Sequence, residues 1–177
     1  MGIHRYIITG APCSGKSTVI EELSTAHNTF QEVARKVIRE QLKLKTNFVP
    51  WLNNYEFSKL VVAQQIEDFN SDYAGPVFFD RGIPDIIAYL NYYDQKKHVP
   101  EFRNHAKNHR YESKVFLMSP WEDIFKKDTE RRESFQEAQD VNLELIKSYQ
   151  ALDYEIIEVP LVNPKDRAKF ILDQINL

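Results

Sequence analysis

The sequence predicts an α/β fold in which a parallel sheet is covered by helices on both faces. Three observations carry this expectation. Apolar runs of strand length alternate with longer stretches of helical period along the chain, the pattern of strand–helix–strand units rather than of hairpins. The runs themselves, such as "VFF" and "VFLM", are almost unbroken in apolar residues, as suits strands buried on both sides. The first run passes directly into a glycine-bracketed turn and a helix start, "TGAPCSGKST" at 9–18, a strand–turn–helix junction.

In order, Arg5 to Thr9 is a buried strand and a helix starts near Lys16 and runs to about Ser24. Asn28 to Val33 is a second strand passing into the helical "ARKVIREQL", and Asn47 to Asn54, with Pro50 and Trp51, is a loop. From Tyr55 to Phe69 the residues Phe57, Leu60, Val61, Ile66 and Phe69 fall at roughly helical spacing. "GPVFFDRG" at 75–82 is a turn, a very apolar strand and a second glycine break, after which Pro84 suits the first turn of a helix to about Tyr93. Ser113 to Met118 is a fourth strand, Trp121 to Gln150 a long charged helical region broken in the middle, Tyr154 to Val159 a fifth strand, and Pro164 to Ile175 a closing helix. No repeat, linker or low-complexity tract interrupts residues 1–177, so one domain is expected.

The bulk numbers narrow the class. Apolar residues make up 42% and charged residues 28% of the 177, an ordinary globular balance. The net charge of −3 gives no general pull toward nucleic acid or anionic membrane. The single cysteine, Cys13, excludes an internal disulfide and suits a reducing compartment. No apolar stretch has signal-peptide or membrane-span length, so the expectation is a soluble cytoplasmic protein.

Gly10-Ala11-Pro12-Cys13-Ser14-Gly15-Lys16-Ser17 fits G-x-x-x-x-G-K-[ST], with Thr18 following. Glycines let the backbone wrap so that successive N–H groups face phosphate oxygens, and the helix that follows adds its positive end. Lys16 is then expected at the terminal phosphates of ATP and the Ser17 hydroxyl on Mg²⁺. The second carboxylate such a site needs is supplied by "PVFFDRG": four buried-type positions, then Asp80 where the strand emerges. Asp85 reads as a first-turn charge favouring its helix dipole. Arg81 is placed to pair with a carboxylate or touch a phosphate. His105 and His109 share the i,i+4 spacing of a zinc pair, but Ala106 stands where a metalloprotease glutamate belongs, and a solvated helix face is expected.

"GAPCSGKST", "EVAR", "VFFDRGIPDIIAYL", "SKVFLMSPWEDIFKKDTERRESFQEA" and "YEIIEVP" together resemble the small single-domain AAA-type ATPases. Their relatives include the ribosylnicotinamide kinase domain of bacterial NAD-biosynthesis regulators. The resemblance implies a kinase-like fold with strand order 2-3-1-4-5 and a helical lid at about 121–140. It implies that Glu32, at the end of the second strand, contacts a sugar hydroxyl and competes with Asp80 for the role of general base. It implies lid arginines at the transferring phosphoryl, with Arg131 first and Arg132 second. On the residues alone, Glu32 also stands three and four positions before Arg35 and Lys36, the spacing of a helix-surface ion pair, and Lys127 faces Arg131 while Asp128 faces Arg132. The acceptor side is expected around Glu32, Arg35, Arg81, Asp85 and Arg132, with Trp51 and Tyr55 as pocket walls; separately, the resemblance implies that Val159 to Pro164 lies near the purine of the nucleotide.

The leading expectation is a kinase using ATP and Mg²⁺ to phosphorylate the hydroxyl of a small nucleoside- or nucleotide-like acceptor. A regulatory NTPase that controls a protein partner shares the phosphate loop, but no N-K-x-D base motif accompanies it. A kinase of nucleic-acid ends is disfavoured by the net charge and kept in view by the basic "KNHR" and "KKDTERR".

Overall fold

In the computed structural model, which describes residues 3–125 and 134–176, five strands form one parallel sheet. They are β1 His4–Gly10, β2 Asn28–Phe30, β3 Pro76–Asp80, β4 Lys114–Met118 and β5 Glu155–Glu158, in the order β2-β3-β1-β4-β5. That is the order the family resemblance implies. In register, Ile8 of β1 lies between Asp80 of β3 and Phe116 of β4, so β1 runs two residues beyond the end of β3 before its loop begins.

Helices α1 Lys16–Ser24 and α7 Pro164–Gln174 cover one face. Alternate side chains of the central strands, Ile8, Phe78 and Phe116, pack there against Val19, Ile20 and Ile171. Helices α2 Val33–Lys43, α3 Asn54–Asn70, α4 Ile83–Tyr92, α5 Val99–Asn108 and α6 Phe135–Gln150 cover the other. On that side Ile7, Phe79 and Val115 meet Ile87, Leu90, Phe102 and Leu145. The period-two alternation of fully apolar strands thus feeds two separate cores.

Three segments refine the expectation, each for a local reason. The second strand stops at Phe30, which stacks on Phe79 with ring centroids 4.8 Å apart. Having only β3 as a neighbour, it needs no greater length, and Glu32 becomes the residue before α2 instead of a strand end. Among the described residues the long charged region holds two helical pieces, as expected of a broken helical stretch. A 3₁₀ turn covers Glu122–Ile124, and α6 begins after a capping box in which Ser134 Oγ accepts from the Glu137 N–H and Glu137 Oε2 accepts from the Ser134 N–H. Finally α5 is a packed helix started by Pro100. It buries Val99, Phe102 and Ala106 and leaves Arg103, Asn104, Lys107 and Asn108 exposed as a solvated face, while His109 at its end meets the Phe69 ring edge-on at 5.4 Å.

Candidate active site

Two backbone constraints build the phosphate loop. A Cβ on Gly10 would stand 2.1 Å from the Met118 carbonyl oxygen, so β1 approaches β4 too closely for any side chain there. Gly15 has φ +83, the left-handed conformation that glycine adopts without penalty, and it turns the loop into α1. Inside the turn, the Lys16 ammonium donates to the carbonyls of Gly10 at 2.9 Å and Ala11 at 3.0 Å. Burial, with Arg81 nearby, lowers its pKa to about 8 despite Asp80, Glu32 and Asp85.

Asp80 ends β3 and is 2% exposed. Neither of its carboxylate oxygens has a hydrogen-bond partner among the described residues. Burial lifts its pKa to about 6, with the charge of Glu32 adding to the rise and Lys16 opposing it. A buried carboxylate with no donor is costly unless an ion or ligand completes it.

The next residue, Arg81, has φ +75, a strained value for a side chain of that size, fixed by its N–H donating to the Ile8 carbonyl at 3.0 Å. This conformation sends the guanidinium between two carboxylates. Its Nε donates to Glu32 Oε1 at 2.9 Å, its Nη1 to Asp85 Oδ1 at 3.0 Å, and it lies 5.4 Å from the Tyr89 ring centre. Glu32 also accepts from Arg35 Nε at 2.9 Å, the ion pair its spacing predicts. Burial alone would raise the Glu32 pKa, but Arg81, Lys16 and Arg35 overcome it and hold the carboxyl at about 2.

Asp85 differs most from its sequence reading. It stands in the first turn of α4, as read, but is 2% exposed. Besides Arg81, its oxygens accept from Thr9 Oγ1 at 2.7 Å, from the Gly82 N–H at 3.0 Å, and from the Tyr149 hydroxyl of α6. With both oxygens engaged, it is a structural hub that braces Arg81 at the cavity.

These groups meet at one cavity of about 800 Å³ at the ends of the strands. Pro12 to Thr18, Glu32, Arg35, Arg81 and Asp85 line it, whereas Gly10, Ala11 and Asp80 do not. Trp51 is on the wall as expected. Tyr55 is not, because it stacks on His98 at 3.8 Å and donates to Glu101. Val162, Asn163 and Pro164 reach the cavity near the phosphate loop, beside Trp121 and Ile124. Arg131, Arg132, Lys127 and Asp128 lie outside the described residues.

Sequence reading missed Arg167 and Gln65. Arg167, on α7, is 2% exposed, donates from Nη1 to the Ser14 carbonyl at 2.9 Å and stacks over Trp121 at 4.8 Å. The available signal was a charged residue on the buried stripe it shares with Ala168 and Ile171. Gln65 likewise sits on the apolar stripe of α3 four residues after Val61.

A strand–glycine loop–helix at the switch point of a 2-3-1-4-5 sheet, with a buried carboxylate ending the neighbouring strand, defines a small P-loop kinase-like domain. A family model described as an AAA domain matches residues 5–167, and the chain belongs to that family. Among curated proteins none matches it in sequence. Among solved structures it resembles the NadR protein in complex with NR, at TM-score 0.74 and 16% identity, over 97% of this chain and 50% of that one. It also resembles the deoxyadenosine kinase of M. mycoides with dCMP and dCDP bound, at TM-score 0.67 and 15% identity over 97% and 98%. Thymidylate kinase from Candida albicans aligns at TM-score 0.66 and 19% identity over 98% and 91%. Identities this low establish a shared fold. No helix among the described residues is long and apolar enough to cross a membrane.

Proposed function

We propose that this protein, as one domain, transfers the γ-phosphoryl group of ATP to a hydroxyl of a nucleoside or nucleotide-like small molecule. The observation that carries the reading is the convergence of Lys16, Glu32 and Arg81 on one cavity, with Asp80 at the end of β3 holding a carboxylate that has no partner among the described residues. The names of the structural relatives, kinases of nucleosides and nucleotides, support the same class.

The residues fit a magnesium ion. Asp80 holds two buried oxygens without donors among the described residues, and Ser17, at the second position of α1, lines the cavity beside the phosphate loop. Mg²⁺ is commonly held by one or two protein oxygens plus substrate phosphates and water, so a larger cluster of ligands is not needed. Bound there, it supplies charge stabilisation to the transferring phosphoryl.

The remaining work falls to the chain itself. The loop N–H groups and Lys16 hold the β- and γ-phosphates, with Lys16 exchanging its carbonyl partners for phosphate oxygens. Glu32 faces the cavity and stays ionised, so it accepts a hydrogen bond from the attacking hydroxyl and aims it at the phosphorus. The transition state is loose, and the hydroxyl needs orientation more than early deprotonation. Arg81 holds Glu32 and offers positive charge where the transferring group passes. Arg131 and Arg132 belong to the lid stretch and are proposed to add charge on closure.

The test is ADP production with Mg²⁺ and ATP, alone and against a panel of nucleosides that includes ribosylnicotinamide. One compound is expected to stimulate turnover. Lys16→Ala and Asp80→Asn should each lower the stimulated rate by at least about 100-fold. Turnover that no hydroxyl compound changes, with nucleotide-dependent capture of a protein partner, would move the protein to the regulatory class.

A further inference from the structure

A second cavity, of about 340 Å³, shares no lining residue with the first. Helix α4 serves both: Asp85, Ile86 and Tyr89 line the first, whereas Ile87 and Asn91, one turn apart, line the second. Three cations from three separate segments border it. They are Lys96 of the 3₁₀ turn Lys96–His98, Arg103 of α5 and Lys147 of α6. Its one lining carboxylate is Glu144, which accepts from Lys147 Nζ at 2.7 Å. Lys96 stands 3.7 Å from Asp94, both on open surface. Arg103 has no hydrogen-bond or ion-pair partner among the described residues. Ser148 lines the cavity beside Lys147. It is 3% exposed, and its buried hydroxyl has no hydrogen-bond partner among the described residues.

The whole chain carries 26 acidic side chains against 23 basic ones, so three cations facing one carboxylate on so small a wall do not follow from composition. Like charges gathered together repel, and a buried hydroxyl without a partner adds a further cost. An anion with several oxygens relieves both. A carboxylate would bring a single charge, whereas a phosphoryl group brings about −1.5 to −2 at pH 7 and three strong acceptor oxygens. The cavity has room for roughly eleven waters at ~30 Å³ each, more than a free ion fills. No aromatic ring lines it to stack on a base, while Ile87 and Leu152 offer a short apolar wall and Glu144 an acceptor for hydroxyls. We infer that this cavity is a second ligand site, built for a phosphomonoester of a small sugar or polyol. The phosphoryl group sits among Lys96, Arg103 and Lys147, and Ser148 donates to it. The inference stands apart from phosphoryl transfer at the phosphate loop and does not rest on it.

Calorimetric titration of the full chain tests this, with a non-hydrolysable ATP analogue and Mg²⁺ kept at saturation so that the phosphate loop is filled. The probes are ribose 5-phosphate and glycerol 3-phosphate, and the controls are ribose and inorganic phosphate. At least one ester should bind, ribose should not, and inorganic phosphate should bind about tenfold more weakly than the ester. Arg103→Gln should weaken the ester by roughly 10- to 100-fold, the range for a lost charge-assisted hydrogen bond. Ser148→Ala should weaken it by about tenfold without lowering the melting temperature of the ligand-free protein, because the hydroxyl has no partner there to lose. Affinity for the ATP analogue should be unchanged in both variants, which shows that they are folded. Glu32→Gln, in the first cavity, should leave ester binding as it is. Ester affinity that either Arg103→Gln or Ser148→Ala leaves unchanged overturns the site, as does ester binding that Glu32→Gln abolishes. Absence of ester binding at millimolar concentration overturns it too, and inorganic phosphate as tight as either ester overturns the assignment to a phosphomonoester.

Discussion

At the scale of single residues, Asp80 carries a conflict between folding and chemistry. Its carboxylate is buried without a donor among the described residues, and its pKa rises from an ordinary 3.8 to about 6. A raised carboxyl pKa means that the folded chain binds more protons than the unfolded one between those values. Stability therefore falls as pH rises from about 4 to 6, and above 6 the ionised group opposes folding by on the order of 3 kcal/mol. Glu32 runs the other way. Held at about 2 by its arginines, it adds stability that is present above about 4.5 and lost as pH falls toward 2. Asp80→Asn should accordingly raise the melting temperature of the ligand-free protein above pH 6 by about 3–8 °C while it abolishes stimulated turnover, the trade expected of a functional group. Melting curves across pH 4–8 check this. An asparagine variant no more stable than the native chain at pH 7.5 would show that Asp80 has an answering partner.

At the scale of elements, the contact between α4 and α6 positions Arg81. Tyr149 is fully buried on α6, and its hydroxyl donates to Asp85 at the start of α4, which in turn holds Arg81 against Glu32. Tyr149→Phe leaves the ring in place and removes one donor from a buried carboxylate, a loss of about 1–3 kcal/mol. Melting should drop by about 2–10 °C, and kcat should fall while KM for ATP holds, because Arg81 rather than the phosphate loop loses its support. Unchanged kcat would separate this hub from the chemistry. The same elements mark what was legible in the sequence. The run from β1 through Gly15 to α1 was readable because its constraints are local: an apolar strand, a positive φ and a helix start. Asp80 was readable because it ends the next apolar run. The start of α6 was recorded too, in the serine–glutamate pair of Ser134 and Glu137, but the surrounding charge hid it. Arg167 and the burial of Asp85 were not readable as such, since each depends on a partner more than 50 residues away, Ser14 for the one and Tyr149 for the other, and Gln65 was not readable because its place on the cavity wall depends on the packing of other elements. Tyr55 shows the reverse error, an aromatic next to the cavity in sequence that turns to His98 instead.

For the whole molecule, the ligand-free site is a cluster of buried charge gathered from both layers of helices and the sheet between them. Lys16 feels this most, its pKa lowered by burial to about 8. A lysine depressed in the folded state binds fewer protons there than when unfolded, so the ligand-free protein gains stability as pH rises from about 8 toward 10.5. A bound triphosphate reverses the balance by surrounding the ammonium with oxygens, which restores its affinity for a proton. Nucleotide binding above pH 8 must then take up close to one proton, and affinity must fall toward tenfold per pH unit, whereas below pH 7 neither effect appears. Titration of a non-hydrolysable ATP analogue with Mg²⁺ at pH 7 and pH 9, in two buffers of different ionisation enthalpy, measures uptake and affinity together. At saturation of 100 times Kd the same ligand should raise the melting temperature by about 5–10 °C at pH 7, from about 2.7 kcal/mol of linkage. The rise should shrink at pH 9 and when EDTA removes the metal. Equal affinity at the two pH values, with no proton taken up, would mean that Lys16 keeps its full charge in the ligand-free protein and that the carbonyls of Gly10 and Ala11 already stand in for phosphate.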